Sequence, residues 1–250
     1  MKKIVFLLLL IASNIWATDI DNKFLNGKNL YQKERYQDAI LQYESLPKMQ
    51  IESAELYFNL GNCYYKLHKV APAIFNYEKA ALLNPNDTEI QTNLDFARKM
   101  AIDDIKVIPK VGFRKLVSDF TSSYHYNTWG WIVVFQSFAF LVFFISYYFS
   151  NTTKLKRLFF MPLTILLLGI IISLFSAYYE QNRLETEQPA IVFSELAIVK
   201  SEPKKTSQDA FTLHEGTKVY ILESVANWKK IQLTDETTGW IEDGAIREIK

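Results

Sequence analysis

Residues 57–85 of this 250-residue chain read YFNLGNCYYKLHKVAPAIFNYEKAALLNP, and this stretch decides the fold of the N-terminal half. The same residue types recur 34 positions apart in the pairs Gly27/Gly61, Tyr31/Tyr65, Ala39/Ala73, Ile40/Ile74, Tyr43/Tyr77 and Glu44/Glu78. A fixed period of this length is typical of a repeated helix–turn–helix unit. The sequence therefore predicts an all-α helical repeat domain over residues 18–100, with two units and a final helix at 88–100 that covers the stack.

The spacing inside the central unit resembles the tetratricopeptide repeat (TPR) family. The residues that carry this resemblance are Tyr57, Leu60, Gly61, Tyr64, Ala73, Tyr77, Ala80 and Pro85. Small residues are expected where the two helices of a unit cross closely, and large residues are expected to fill the space between units. Pro85 ends the second helix, and Asp87 is predicted to cap the next helix.

The resemblance implies a binding groove, because the first helix of each TPR unit lines a concave surface. By position, the groove residues are Phe24, Lys28, Tyr31, Phe58, Asn62, Tyr65 and Lys66. Each aromatic residue in this set is equally consistent with an ordinary core position, whereas the amide of Asn62 can bind a peptide backbone with both of its polar atoms. TPR proteins that clamp a C-terminal carboxylate carry a basic residue where this chain has Phe58, so such a clamp is not expected. Asn62 and Tyr65 are expected to be replaceable without loss of the fold.

The N-terminus has the pattern of a secretory signal peptide over residues 1–17. Two lysines at positions 2 and 3 precede the uncharged run 4–12, and Ala17 precedes a polar segment. This order of basic, apolar and small residues predicts export with cleavage after Ala17. An uncleaved anchor is the alternative, although the apolar run is short for a membrane span.

Two uncharged runs, 129–149 and 158–179, predict a two-helix transmembrane hairpin. A buried helix of a soluble protein is the alternative for each run, which their close spacing disfavours. The loop between them, 150–157, contains no acidic residue and carries Lys154, Lys156 and Arg157. Cytoplasmic loops of membrane proteins usually carry an excess of Lys and Arg, so this loop is predicted to lie in the cytoplasm. The chain is thus predicted to cross a bacterial inner membrane twice, with both soluble domains in the periplasm.

The segments that flank the hairpin give weaker patterns. Residues 101–128 are interpreted as a juxtamembrane linker, and residues 180–189 as a polar neck. The alternative for part of the linker is a short amphipathic helix over Phe113–Phe120 that lies on the outer surface of the bilayer.

Residues 190–250 predict a small all-β domain. Short runs rich in β-branched and aromatic residues alternate with turn residues, at 190–193, 196–200, 210–213, 217–225, 228–233 and 239–241. The order of motifs, from the run at 196–203 to Thr238-Gly239-Trp240-Ile241, resembles the bacterial SH3-like domain, which implies a small barrel. Trp240 is predicted to belong to the core. Trp228 is either core or part of a partner-binding groove.

Composition and motifs argue against catalysis. Positive and negative side chains nearly balance, at 28 Lys+Arg against 27 Asp+Glu, which excludes a polybasic nucleic-acid binder and an acidic disordered chain. The three histidines lie in different segments, and His214 has no second His or Cys near it in sequence, so no metal site is expected. Cys63 is predicted to be a buried apolar residue. We expect no cofactor, no small-molecule substrate and no enzymatic activity.

The order of signal peptide, TPR domain, hairpin and SH3-like domain resembles the BatE-type proteins of the Bacteroides aerotolerance (Bat) operon. This resemblance implies a non-enzymatic membrane scaffold or adaptor acting in stress or oxygen tolerance. Its implied partners are other Bat-type proteins, namely von Willebrand factor A-type membrane proteins and a MoxR-type ATPase. The alternative function is binding or sensing of the cell wall, with the SH3-like domain holding peptidoglycan.

Overall fold

The computed structural model describes residues 20–47, 51–105 and 112–249 and forms two compact units. The first unit unites Met1–Leu83 and Asp87–Val107 with Pro189–Lys250, and the second contains Asn84–Asn86 and Ile108–Gln188. The predicted signal peptide, 1–17, lies outside the described residues.

In the N-terminal part of the first unit, residues 20–47 and 51–105 form five helices. They are α1 (20–32), α2 (Tyr36–Glu44), α3 (Ala54–Lys66), α4 (Val70–Leu83) and α5 (Thr88–Arg98). The hydroxyl of Ser53 caps α3 by accepting from the Leu56 N–H at 3.1 Å. The predicted cap at Asp87 is confirmed, since its carboxylate accepts from the Glu89 and Ile90 N–H groups at the start of α5.

The helix pairs α1–α2 and α3–α4 cross in the same way. A Cβ added to Gly27 would lie 2.5 Å from Cε1 of Tyr43, and one added to Gly61 would lie 2.6 Å from Cδ1 of Tyr77. Both tyrosine rings are buried. Because the period of 34 residues recurs as geometry, the first helix pair is a structural copy of the second.

The C-terminal part of the first unit is a seven-stranded antiparallel sheet. Its strands are β1 (Pro189–Val192), β2 (Leu196–Lys200), β3 (Asp209–His214), β4 (Lys218–Val225), β5 (Trp228–Gln232), β6 (Thr238–Glu242) and β7 (Ile246–Glu248), in the order β3-β2-β6-β5-β4-β1-β7. The sequence did not predict β7. Strand β7 follows a 3-10 turn at Asp243–Ala245 and has only three residues, which are too few to show an alternation of apolar and polar side chains.

The core of the sheet corrects the prediction for Trp240. Along β6 the inward positions are Gly239 and Ile241, which are both buried, whereas Trp240 between them is only half-buried. Successive side chains of a strand point to opposite faces, so these three residues cannot all enter the core. Trp228 of β5 is the more buried tryptophan, with 8% of its surface exposed.

The second unit contains α6 (Phe113–Thr121), α7 (Tyr126–Phe149) and α8 (Thr153–Glu187). By length and composition, α7 and α8 could each cross a membrane. The Nε2 side of the Gln136 amide faces Gly169, and Oε1 of Gln136 accepts from the Ser173 hydroxyl at 3.2 Å. A glycine opposite a polar side chain lets the two apolar helices approach closely and share a hydrogen bond.

Three predicted segments of this unit do not coincide with the ends of its helices. The preferred linker between the repeat and the hairpin contains α6, and the neck is helical as far as Glu187 because α8 continues beyond its apolar run. The turn between α7 and α8 is only 150–152, since Thr152 caps α8 and the three basic residues of the predicted loop lie in its first turns. Polar residues do not by themselves end a helix, which explains why the helices extend beyond their apolar runs.

Candidate functional site

The sheet packs against α4 and α5, so the two halves of the first unit share a core. Ile191 of β1 and Ile249 are buried in one cluster with Ile74 of α4 and Leu94 of α5. Phe193 meets Phe75 edge to face, with ring centroids 5.6 Å apart. Segments on opposite sides of the hairpin in sequence therefore form one compact head, which is the first unit.

A buried carboxylate joins three elements at this contact. Glu78 of α4 has 8% of its side chain exposed and accepts from Lys218 Nζ of β4 at 2.6 Å and from Arg98 Nη2 of α5 at 2.7 Å. Burial alone would raise the pKa of Glu78, but the two cations outweigh it and lower that pKa. The carboxylate therefore stays ionised and connects the helical repeat to the sheet.

A second carboxylate, Asp103, ties the segment after α5 to the turn between β3 and β4. Its Oδ2 accepts from the His214 N–H at 2.7 Å and from the Thr217 hydroxyl at 2.6 Å, and its Oδ1 lies 2.7 Å from Nδ1 of His214. Burial raises the pKa of Asp103, whereas these hydrogen bonds outweigh burial and lower it. Asp103 and His214 are 111 residues apart, so the sequence showed only an acid in a linker and an isolated histidine.

The close approach at that turn depends on Gly216. Its φ is +90°, and a Cβ there would lie 2.9 Å from side-chain carbons of Val70 and Ile74. A residue with a side chain would be strained by the backbone and would push the turn away from α4. The sequence marked Glu215-Gly216 as a strand break but carried no sign of this contact.

The predicted groove residue Asn62 belongs to an internal polar triad. Its Oδ1 accepts from the Tyr77 hydroxyl at 2.7 Å and from Asn93 Nδ2 at 2.9 Å, which connects α3, α4 and α5. Replacement of Asn62 is therefore expected to lower the stability of the repeat, contrary to the sequence-based expectation, because its removal would leave two donors without their acceptor.

The first helix pair contains an incomplete copy of this triad. Tyr43, Lys28 and Asn59 lie 34 residues before Tyr77, Asn62 and Asn93. Among the described residues, the buried Tyr43 hydroxyl and Asn59 Nδ2 have no hydrogen-bond partner. A lysine supplies donors and no acceptor, so the change from asparagine at this position accounts for both unpartnered groups.

The remaining predicted groove residues fall into two groups. Aromatic pairs hold Phe24 against Tyr43, Tyr31 against Tyr36 and Phe58 against Tyr77, with ring centroids between 5.2 and 6.0 Å apart. Lys28 reaches Glu55 at 3.3 Å and lies over the Phe24 ring, and Lys66 is exposed beside the half-buried Tyr65. Lys66 is thus accessible on α3, whereas Tyr65 is accessible only in part because it packs against the cluster that joins the repeat to the sheet.

The remaining candidates offer little reactive chemistry. Cys63 is fully buried, and burial raises the pKa of its thiol to about 12, which keeps it protonated. The parts of the chain that the structure describes contain no group of three or more His, Cys, Asp or Glu able to hold a metal ion. Trp228 has 8% of its surface exposed, so only a small part of its side chain is accessible to a partner.

The helix pair α3–α4 and the turn after it coincide with a known family pattern. Residues 54–87 match the family described as tetratricopeptide repeat. This segment is a TPR repeat. The TPR match covers α3, α4 and the Asp87 cap, and it indicates a protein–protein interaction module. No curated protein matches the chain.

Proposed function

We propose that this protein is a non-enzymatic, membrane-anchored scaffold whose head binds other proteins, within a Bat-type complex of the kind its domain order resembles. The observation that carries the proposal is the head itself. A TPR repeat and a sheet are locked together by a shared core and by the buried Glu78 network, and the hairpin lies between them in sequence. Two binding surfaces in one compact head on one anchor raise their effective concentration for a shared partner.

The head also bears on the topology of the chain. If α7 and α8 both cross the bilayer, both soluble segments emerge on the same side, as one continuous head requires. Lys154, Lys156 and Arg157 near the turn favour the cytoplasm for that turn, which places the head in the periplasm. The packing of the head thus supports a two-pass arrangement with both soluble parts on one side, and the charge of the turn supports the periplasm as that side.

Partner recognition is assigned to the accessible part of the TPR groove. Tyr65 supplies an aromatic side chain of a type that is enriched among binding hot spots, and the neighbouring Lys66 supplies a cation that can attract an acidic group. Asn62 is left out of the first test, since its structural hydrogen bonds would confuse the result. The sheet is interpreted as an SH3-like module with a separate exposed face that includes Ile198 of β2.

The test compares the full chain, in detergent-solubilised native membranes, with two variants. The groove variant, Tyr65→Ala combined with Lys66→Ala, removes two side chains of the TPR groove. The second variant, Ile198→Glu, places a charge on the exposed face of the sheet. Crosslinking followed by mass spectrometry should recover Bat-type proteins with the wild type and at least tenfold less of them with the groove variant. Equal recovery with the groove variant, together with loss in Ile198→Glu, would move recognition to the sheet.

Cell-wall binding by the sheet is the competing function, and the same variants address it. Sedimentation of the detergent-solubilised full chain with purified peptidoglycan should show no binding above a protein that lacks cell-wall affinity. The opposite result is a chain that sediments with peptidoglycan, with this binding lost in Ile198→Glu and kept in the groove variant. That result would show a cell-wall binder and contradict the scaffold proposal.

A further inference from the structure

The second unit contains an apolar crevice between α6 and the C-terminal part of α8. Its volume is about 440 Å³, and its walls include Phe113, Leu116, Val117 and Phe120 of α6 and Ile172 and Phe175 of α8. This volume falls within the range of roughly 300–1,000 Å³ that is usual for ligand pockets. The sequence had shown α6 only as an alternative to a plain linker.

The two hydroxyl residues of the crevice do not make it polar. Thr121 donates to the Ser118 carbonyl at 3.3 Å, and Ser176 donates to the Ile172 carbonyl at 2.9 Å. Both hydroxyls are therefore engaged by the backbone of their own helices. An occupant would meet hydrocarbon and aromatic surface, which favours an apolar ligand.

The crevice is held open by contacts at the C-terminal end of α6. Trp129 of α7 is buried and donates from Nε1 to the Thr121 carbonyl at 2.9 Å. Phe120 and Tyr124 pack on the same indole, with ring centroids 5.5 and 5.4 Å away. These contacts fix one end of α6, so the crevice exists before any ligand enters.

The position of the crevice along α8 identifies its surroundings, provided that the hairpin spans the membrane as in the proposed function. Tyr179 is the last aromatic residue of the apolar run of α8. At roughly 1.5 Å per residue along the helix axis, the crevice residue Ile171 lies about 12 Å before Tyr179, and Ser176 lies about 4.5 Å before it. Tyrosines of this kind lie at the membrane interface. The crevice then opens just below the headgroups. If it were empty, the side chains that line it would lose van der Waals contacts that lipid can supply.

We propose that this crevice binds one acyl chain of a membrane phospholipid. A partner's spanning helix is about 30 Å long, whereas the crevice follows α8 only over residues 171–176, or roughly 7.5 Å at ~1.5 Å per residue. The crevice would thus hold about one turn, whereas a spanning helix has five or more. The exposed Lys115 lies on the polar side of α6, where an anionic headgroup would be attracted.

The experiment measures the phospholipid retained by the full chain. The protein is reconstituted in vesicles of phosphatidylethanolamine and phosphatidylglycerol, extracted in mild detergent, washed, and examined by native mass spectrometry. Val117→Trp and Ile172→Trp each fill the crevice from a different wall. Ile165→Trp is the matched control, since Ile165 lies on α8 outside the crevice and is exposed.

We expect one retained phospholipid per chain in the wild type and in Ile165→Trp, and at least tenfold less in both crevice variants. A phospholipid with a diazirine in its acyl chain should label 113–121 and 171–176 of the unaltered protein, which does not depend on how the variants fold. Three outcomes would each overturn the proposal. They are a wild type that retains no lipid, equal retention in all four proteins, and absence of label on 113–121. A second polypeptide that is retained by the wild type and lost only in the crevice variants also overturns it, in favour of a partner protein.

Failure of the proposed function would look different. If alkaline carbonate releases the full chain from membranes, the hairpin does not span them and the anchored scaffold fails. A chain that resists carbonate but retains no lipid removes the acyl-chain site alone.

Discussion

Lys28 is the single difference between the two copies of the polar triad in the repeat. In the second copy Asn62 accepts from both Tyr77 and Asn93, whereas in the first copy Tyr43 and Asn59 find no acceptor among the described residues. Each unpartnered buried donor costs about 1–3 kcal/mol. The first helix pair therefore carries a cost that the second does not.

Lys28→Asn is expected to stabilise the repeat. It restores an acceptor for two buried donors, and it gives up an exposed ion pair with Glu55 that is worth under ~1 kcal/mol. The free energy of unfolding should rise by about 1 kcal/mol, measured from hydrogen exchange of the α1–α3 amides in the full chain. Lys28→Ala is the control, because it removes the same ion pair without adding an acceptor. An Asn variant no more stable than the Ala variant would contradict this account.

Gly61→Leu is expected to destabilise the TPR repeat by about 3 kcal/mol or more. Even a Cβ at this position would lie 2.6 Å from the Tyr77 ring, and that ring is buried and hydrogen-bonded to Asn62. Gly130→Leu on α7 is the matched control, since nothing lies within 4 Å of its added Cβ. Pulse proteolysis of the repeat in the full chain would measure the loss, and equal resistance of both variants would refute the crossing geometry.

At the scale of elements, α4 makes the contact on which the head depends. One side of it packs within the TPR repeat, while Val70, Ile74 and Glu78 meet the sheet. Breaking a buried ion pair costs more than breaking an exposed one, because the remaining charge stays desolvated. Arg98 allows both cases to be compared, since it pairs with the buried Glu78 and with Asp95, whose side chain is 65% exposed.

Glu78→Gln is expected to lower the stability of the head at neutral pH by about 3 kcal/mol, and Asp95→Asn by under ~1 kcal/mol. The pKa of Glu78 is lowered in the folded head, so its contribution is present above the unfolded pKa of about 4 and is lost as the pH falls through the folded pKa. The difference in thermal midpoint between wild type and Glu78→Gln should therefore shrink below about pH 4. A difference that is independent of pH would show that Glu78 acts by shape alone.

At the scale of the whole molecule, the hairpin interrupts the sequence of the head without interrupting its core. Ile191 follows the hairpin and Ile74 precedes it, yet both lie in one buried cluster. A two-pass chain meets this requirement because its two ends leave the membrane on the same side. A chain with a single span would separate the halves of this core.

Protease added to intact spheroplasts is expected to cut both parts of the head, 18–128 and 180–250. The proposed periplasmic location exposes both, and the shared core requires that they have the same fate. Immunoblots against tags at each soluble part would follow the cleavage, with a cytoplasmic protein as the control for lysis. Protection of both parts would place the head in the cytoplasm, and protection of only one would contradict the shared core.

Local patterns determined much of this fold. The period of 34 residues predicted paired helices that the Gly27 and Gly61 crossings reproduce, and the family match at 54–87 agrees with the central unit. Alternation located most strands, and two uncharged runs located the apolar helices. These features rest on interactions between residues close in sequence, so a pattern within one segment is sufficient to reveal them.

The tertiary structure alone decided how these elements come together. Asp103 meets His214, and Glu78 meets Lys218, across 111 and 140 residues, and no local period records such pairs. Asn62 is another example. Its sequence position predicted a contact with a partner, whereas in the structure its Oδ1 accepts hydrogen bonds from Tyr77 and Asn93. A residue's type and spacing predict which groups it can bind, but only packing determines which of them lie within hydrogen-bond distance.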